Sequence, residues 1–132
     1  MGELGIGPDD IAKLEPEVAY LTSNLDGVTT LGLYTDTGYQ VAFASIASDD
    51  MDSDSLGGVS AAMTMTAKMT MQTMFQEDLT EAIVRAGTGY LVFSQAGRFI
   101  IAIAASKIKA LMKNVKILRI AAQRIGSAFP AM

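Results

Sequence analysis

The stretch VSAAMTMTAKMTMQTMF, residues 59–75, holds five methionines, four threonines and a single charge, Lys68. Its letters alternate in places, but seventeen residues far exceed the about five or six of an ordinary strand, and Ala, Met, Lys and Gln favour helix. The stretch therefore predicts a helix. On a helical wheel this stretch and the residues just before it show two uncharged sides. One side has Leu56, Val59, Met63, Thr70 and Met74, and the other has Ala61, Ala62, Met65 and Met69.

A helix that lies on a sheet hides one side only, so the second side of this middle helix needs a cover. We expect the same helix from a second copy of the chain, which gives a two-fold symmetric dimer. Small Ala and Thr residues would allow close approach, and flexible Met side chains would fill gaps. The alternatives are that loops cover this side, or that the methionines are ordinary core residues.

Turn residues divide the rest of the chain into short elements. A first helix is predicted to begin near Pro16 and to end at Asp26-Gly27. A β-hairpin is predicted to turn at Asp36-Thr37-Gly38. Three more strands are predicted from TEAIVRAG, GYLVFSQ and RFIIAIAA, and a last helix from Lys107 to about Gly126, capped by Ser106.

This order predicts an α+β fold in which helices flank a five-stranded, mainly antiparallel sheet. At 132 residues the chain is expected to form a single domain, 1–132. We expect a core over about 17–125 and flexible ends at 1–15 and 127–132.

Charge is distributed unevenly along the chain. Residues 1–54 carry eleven acids and one base, whereas residues 85–132 carry eight bases and no acid. One interpretation is that the two ends pair in the fold. The other is a basic surface for an acidic partner or anionic lipid, formed by the last helix through Lys109, Lys113, Lys116 and Arg124. No aromatic residues interleave with these bases, so nucleic acid is not an expected partner.

Composition argues against several kinds of active site. The chain has no His and no Cys, and it lacks the P-loop pattern of a nucleotide hydrolase. A calcium loop starting at Asp50 would have Ser55 instead of Gly and Ala61 instead of Glu, so the acids Asp49, Asp50, Asp52 and Asp54 are interpreted as a helix cap. We expect no enzyme activity, no cofactor and no metal.

The chain also lacks signals for membrane insertion or export. Its longest run without a charge is thirteen residues, Ser55–Ala67, against roughly eighteen for a spanning helix. We therefore expect no transmembrane segment. The absence of Cys and of a signal peptide favours the cytoplasm.

Three segments, LDGVTTLGLYTDTGYQVA, GGVSAAMTMTAKM and GYLVFSQAGRFIIAIA, resemble the roadblock family over about residues 17–125. This family includes dynein light-chain roadblock proteins and prokaryotic regulators of small GTPases. Asp26-Gly27-Val28 and Asp36-Thr37-Gly38 stand where the family has a helix end and a hairpin turn. The resemblance implies a roadblock (profilin-like) sandwich of order α-β-β-α-β-β-β-α.

The resemblance also implies a homodimer or heterodimer in which the middle helices lie side by side and the third strands join two sheets. The dimer interface predicted on this basis comprises Ala61, Ala62, Met65, Met69, Glu81, Ile83 and Arg85. It further implies a non-catalytic scaffold that docks a small Ras-like GTPase and alters its GTP hydrolysis or nucleotide exchange. We predict the partner-binding residues from the wheel, where Lys68, Gln72 and Phe75 fall together between the two uncharged sides.

Three alternatives accompany this prediction. Phe75 could be a core residue, and the basic last helix could be the partner surface. The protein could instead be a small-ligand-sensing or adaptor module with a profilin-like fold and no GTPase partner, for which a pocket lined by Met and Phe would speak. Arg85 and Arg98 invite comparison with arginine fingers, but surface or cross-strand pairing, with Glu81 nearby, is preferred.

Overall fold

The computed structural model describes residues 6–46 and 52–131. Within these ranges the chain forms the predicted order of helices and strands, which is α1 (Pro8–Asn24), β1 (Thr30–Thr35), β2 (Gln40–Ser45), α2 (Ser53–Phe75), β3 (Glu81–Arg85), β4 (Tyr90–Ala96), β5 (Phe99–Ala105) and α3 (Leu111–Ala128). The predicted α+β class is confirmed.

The five strands form one antiparallel sheet in the order β2-β1-β5-β4-β3. The central strand β5 is buried along its whole length because helices cover both faces of the sheet. One face packs under α1 and α3 around Leu33, Val92 and Ile101. The other face packs under α2 around Phe93 and Ile100. The alternation of side chains along each strand thus divides the core into two layers.

Helix α1 begins earlier than predicted. It starts at Pro8, and Pro16, the predicted start, lies inside it. The backbone N–H of Gly7 donates to a side-chain oxygen of Asp10 at 3.0 Å, which satisfies a group next to the helix start. In the segment 1–15, predicted to be flexible, the described part is helical from Pro8 onward and buries Leu14.

Helix α3 begins and ends later than predicted. It starts at Leu111 after Ala110, whose φ of 55° lies in the left-handed region, so Ser106 is not its cap. It continues to Ala128, and the side chain of Phe129 packs edge-on against Phe99 with ring centroids 5.3 Å apart. The described part of the segment 127–132, expected to be flexible, contributes to the core through the Phe129 ring.

A buried amide ties the start of α3 to the end of α1. The Asn114 side chain accepts a hydrogen bond from the backbone N–H of Asp26 at 2.9 Å and donates to the Asp26 carbonyl at 2.8 Å. It also donates to the Tyr90 hydroxyl at 2.9 Å, which in turn donates to the Lys109 carbonyl. Because every polar atom in this chain of contacts has a partner, burying it stabilises the fold instead of straining it.

The N-terminal cap of α2 is Asp52, as predicted, and its carboxylate accepts a hydrogen bond from the backbone N–H of Ser55. The hydroxyl of Ser55 donates to the same carboxylate, and this bond lowers the pKa of Asp52. The predicted contributions of Asp49 and Asp50 to the cap lie outside the described residues.

Helix α2 faces the sheet with residues that, apart from Leu56, belong to neither of the two sides that hydrophobicity indicates. Its buried residues are Leu56, Gly57, Ser60 and Thr64. The side of Val59, Met63 and Met74 is exposed instead. The reason is steric. The ring of Tyr34 stands up from β1 under the helix, and the turn carbonyl of Gly38 lies beside it, so at Gly57 only a residue without a side chain fits between helix and sheet.

Gly57 sits at the tightest point of this contact. A Cβ added there would stand 2.8 Å from the Tyr34 ring and would collide with the Gly38 carbonyl oxygen. At the neighbouring Gly58 a Cβ would meet no atom within 4 Å. The two adjacent glycines therefore differ only in what surrounds them.

We expect Gly57→Ala to destabilise the protein by about 1–3 kcal/mol through overpacking. The control Gly58→Ala should stabilise it by up to about 1 kcal/mol, because alanine loses less conformational freedom than glycine in a helix. Denaturant unfolding of both variants measures the difference. Equal stabilities would show that α2 does not approach the sheet at Gly57.

Tyr34 should also make stability depend on alkaline pH. Burial raises the pKa of Tyr34 above its ordinary value of 10.0, while its hydroxyl donates to the Ser53 carbonyl at 3.0 Å. The unfolded chain therefore ionises this residue first, and the stabilisation present below pH 10 is lost as the pH rises toward the folded pKa. Tyr34→Phe should flatten this part of the unfolding free-energy profile, whereas Tyr39→Phe, at an exposed position, should leave it unchanged.

Candidate interaction surface

Helix α2 carries several exposed apolar side chains. Met65, Met69, Met74 and Phe75 leave between 59 and 66% of their surface accessible. Monomeric proteins seldom expose several large apolar side chains along one element, and such patches usually mark interaction sites.

Threonines on this helix add little polarity to the surface. The hydroxyl of Thr66 donates to the Ala62 carbonyl at 3.0 Å, and that of Thr70 donates to the Thr66 carbonyl at 2.8 Å. Bonds of this kind turn the hydroxyl toward the helix backbone.

Strand β3 forms one edge of the sheet beside this surface. It pairs with β4 on one side, and among the described residues no strand pairs with its other side. Ile83 and Val84 are exposed, 43% and 36%, on the two faces of this edge strand. An exposed apolar edge is a template for pairing with another strand.

The residues of the predicted dimer interface fall into two groups. Ala61, Ala62, Met65 and Met69 lie on α2. Glu81, Ile83 and Arg85 lie opposite Ser94, Val92 and Tyr90 in the register of β3 and β4, and so they occupy the sheet face under α3. Val84, on the α2 face of the same strand, is not among the predicted interface residues. Its alternation with Ile83 was visible in the sequence, but the layer occupied by each helix was not.

Glu81 has a partner within its own chain. Its carboxylate accepts hydrogen bonds from Nε and a terminal nitrogen of Arg119, at 2.7 and 3.2 Å. This two-point ion pair joins the edge strand β3 to α3. The suggested pairing of Glu81 with Arg85 is therefore replaced by a pair with the last helix.

The predicted partner-binding residues are all accessible. Lys68, Gln72 and Phe75 are exposed on α2, and Phe75 leaves 59% of its surface accessible, so it is not a core residue. Lys68 also lines a cleft between α2 and the β1–β2 turn.

The bases of α3 and of the loop before it are largely paired with acids from earlier in the chain. Asp26 lies 3.3 Å from Lys109 and 3.9 Å from Lys113, and Glu17 lies 3.3 Å from Arg124. Acids from the first part of the chain therefore pair with bases from the last part within the fold, as the first interpretation predicts. Such exposed pairs contribute little stability individually.

Arg98, one of the two arginines compared with arginine fingers, lies over aromatic rings. Its guanidinium carbon is 5.2 Å from the centre of the Phe129 ring and 5.7 Å from that of Phe99. A cation held against two rings stabilises the end of the chain.

A search of residues 6–46 and 52–131 finds no group of three or more acidic side chains that could hold a metal ion. In the same ranges, the helices are all too short or too polar to cross a bilayer.

Comparisons with known proteins agree with this architecture at the level of structure alone. No family model matches the chain, and no curated protein shows significant similarity to it. A Roadblock/LC7 domain from Streptomyces avermitilis is 12% identical, with a TM-score of 0.72 over 83% of this chain and 92% of that one. MglB from Myxococcus xanthus is 12% identical, with a TM-score of 0.78 over 93% and 92% of the two chains. MglB in a tetrameric arrangement is 17% identical, with a TM-score of 0.77 over 88% and 89%.

The chain has the roadblock fold. The resemblance noted in the three sequence segments is thereby confirmed at the level of architecture. At these identities the chain shares the roadblock fold with those proteins, and the similarity does not extend to particular surface side chains.

Proposed function

We propose that this protein is a dimeric, non-catalytic scaffold that binds a small Ras-like GTPase and modulates its GTP hydrolysis or nucleotide exchange. The observation that carries the proposal is the exposed apolar side of α2 next to the unpaired edge of β3. Helices already cover both faces of the sheet, so the fold itself does not require these apolar side chains on its surface.

The first step of the proposal is self-association. Two copies related by a two-fold axis would place the outward sides of α2 against each other and the edges of β3 side by side. Met65, Met69 and Val84 would then be buried, and the backbone groups along β3 would gain partners. The tetrameric arrangement of MglB, which has the same fold, supports assembly between copies.

The second step is the GTPase partner, which rests on the roadblock resemblance. The chain has no P-loop, so it is not itself such a GTPase. A regulator of this kind contributes a surface and leaves the chemistry to its partner. Partners of this class would place the protein in the cytoplasm.

Lys68, Gln72 and Phe75 supply the proposed contact, on the part of α2 that flanks the dimer surface. An accessible aromatic ring beside an amide and one charge suits a protein contact, because aromatic residues are enriched among those that dominate binding energy.

Self-association is tested with Met69→Asp. The wild-type protein should be dimeric at micromolar concentration, and this variant should be monomeric, because an unpaired charge in an apolar interface costs several kcal/mol. Light scattering after size exclusion measures the mass, and circular dichroism checks that α2 remains helical. Lys116→Asp, a charge change on exposed α3, is the matched control and should remain dimeric.

Two outcomes would contradict this step. A folded wild-type monomer would show that the protein does not form the proposed dimer. A Met69→Asp dimer of unchanged affinity would show that α2 is not part of the dimer interface. Association only with a second roadblock-like chain would replace the homodimer by a heterodimer.

Partner binding is tested with Phe75→Ala. It should weaken binding of a small Ras-like GTPase, in its preferred nucleotide state, about tenfold or more, which corresponds to about 1.4 kcal/mol. The melting temperature and the mass of the dimer should stay unchanged, since the ring is mostly exposed. Titration calorimetry with the GDP-bound and GTP-analogue-bound partner measures the affinity.

The competing surface is tested in parallel. Lys109, Lys113 and Lys116 are changed together to Glu. Loss of binding in this triple variant, with normal binding by variants at Lys68, Gln72 and Phe75, would move the site to the last helix and contradict the placement on α2.

A further inference from the structure

An exposed basic patch surrounds the start of α3. It consists of Lys107 and Lys109 in the loop before the helix, Lys113 and Lys116 in the first part of the helix, and Arg85 at the end of β3. Each of these residues is exposed. The patch thus brings together bases from three neighbouring elements.

Arg85 joins the patch through the register of the sheet. It lies opposite Tyr90, so the two side chains are on the same face. The Tyr90 hydroxyl donates to the Lys109 carbonyl at 2.9 Å and accepts from the Asn114 amide. The arginine is therefore on the α3 side of the sheet, next to the start of this helix.

The acids near this patch balance only part of its charge. Asp26 is shared between Lys109 and Lys113, at 3.3 and 3.9 Å. In the described part of the chain, no acid lies within 4.0 Å of the charged groups of Lys107, Lys116 or Arg85. The patch therefore keeps a net positive charge, although the chain as a whole carries −4.

The two arginines further along α3 contribute less to this charge. Arg119 is paired with Glu81, and Arg124 is paired with Glu17. Positive charge on the α3 layer is therefore concentrated at the start of the helix.

Exposed apolar side chains lie among the bases. Ile108 stands between two lysines in the loop and leaves 43% of its surface accessible. Met112 and Ile120 lie about one turn before and after Lys116, and they leave 57 and 42% accessible. Apolar and basic side chains thus alternate along the outer side of α3.

This alternation fits an anionic membrane better than an acidic protein. A protein interface usually gathers its apolar residues in a centre and keeps charges at the rim. At a membrane surface, apolar side chains enter the boundary between head groups and acyl chains, while long lysine side chains extend to the phosphates. Clusters of four or more bases next to such side chains are typical of anionic lipid binding.

We propose that the basic patch binds the surface of an anionic lipid bilayer, with Ile108 and Met112 inserted at the level of the head groups. The lysines and Arg85 supply the attraction, and the two apolar side chains supply burial. This proposal does not rest on the proposed GTPase partner.

Self-association would strengthen this contact. In a two-fold dimer joined at the β3 edges, the axis is perpendicular to the sheet, so both α3 helices lie on the same side. One flat membrane would then meet two patches, on the side of the sheet opposite to Lys68 and Phe75. This gain rests on the proposed dimer, whereas the patch itself is present in each chain.

Binding is tested by flotation of the isolated protein with vesicles. Vesicles of equimolar phosphatidylcholine and phosphatidylglycerol should carry the protein at about 0.1 M salt, and vesicles of phosphatidylcholine alone should not. Raising the salt to about 1 M should release the protein, because the screening length falls from about 10 to about 3 Å.

The location of the contact is tested with Lys116→Glu, which should weaken binding to the anionic vesicles at least tenfold. Lys13→Glu changes the net charge equally and should bind as the wild type does. Lys13 lies over the Phe129 ring, and Phe129 is about 20 Å from Lys116 along the helix direction. Circular dichroism checks the fold, and Lys107→Glu, in the loop outside the helix, repeats the test without a change in α3.

Insertion is tested with a tryptophan reporter, since the chain has no Trp of its own. In Ile108→Trp, anionic vesicles should shift the emission to the blue, and brominated acyl chains should quench it. Tyr39→Trp, at an exposed position in the β1–β2 turn, should show neither effect.

Three results would overturn the proposal. They are failure of the wild type to bind anionic vesicles, equal loss of binding in Lys116→Glu and Lys13→Glu, and no quenching in Ile108→Trp. Binding of polyglutamate without binding of vesicles would assign the patch to an acidic protein instead. No GTPase is present in these experiments, so their outcome is separate from that of the Phe75 variant.

Discussion

The close contact between α2 and the sheet at Gly57 determines which side of this helix faces the core. The Tyr34 ring occupies the space under the helix, and the Gly38 carbonyl lies at its flank, so no side chain fits at Gly57. Leu56 is buried beside this contact, whereas Met63, Met65, Met69 and Met74 are exposed. The exposed apolar surface on which the proposed assembly depends is thus a geometric result of how the helix is seated.

The opposite layer is organised by polar contacts. Asn114 connects the end of α1 to the start of α3 through backbone groups of Asp26, and the bases Lys109 and Lys113 approach the carboxylate of the same residue. A further ion pair, between Glu81 and Arg119, connects the edge strand to α3. The acidic first part of the chain and its basic last part are therefore joined in one layer, which leaves the α2 layer with few charges and open to apolar contact.

The strands and their order along the chain could be predicted from sequence, since β5 is a continuous apolar run and the hairpin carries Asp36-Thr37-Gly38 at its turn. The helix bounds were less accessible. The signal for the start of α1 is present in Pro8 followed by two acids, but the apolar spacing after Pro16 predicts a later start. Nothing in the letters around Ala110 indicates a left-handed residue, so the start of α3 could not be placed.

The candidate surfaces were predicted only in part, for a physical reason. Hydropathy identified Met65 and Met69 as residues in need of a cover, and the helical wheel placed Phe75 on the predicted partner strip, but neither could say which side of α2 the sheet would take. The cleft beside Thr64 could not be seen in the sequence, because segments distant from one another in the chain form it.

The threonine hydroxyls on the outer side of α2 change what this surface offers to water. Thr66 and Thr70 direct their hydroxyls to carbonyls of their own helix, so their methyl groups can face outward. A partner that covers them takes no donor away from water, because the proton of each hydroxyl is already bound by the backbone, and only the acceptor side of the oxygen is desolvated. A hydropathy scale counts these residues as fully polar, so it overstates how much hydration this surface loses on contact.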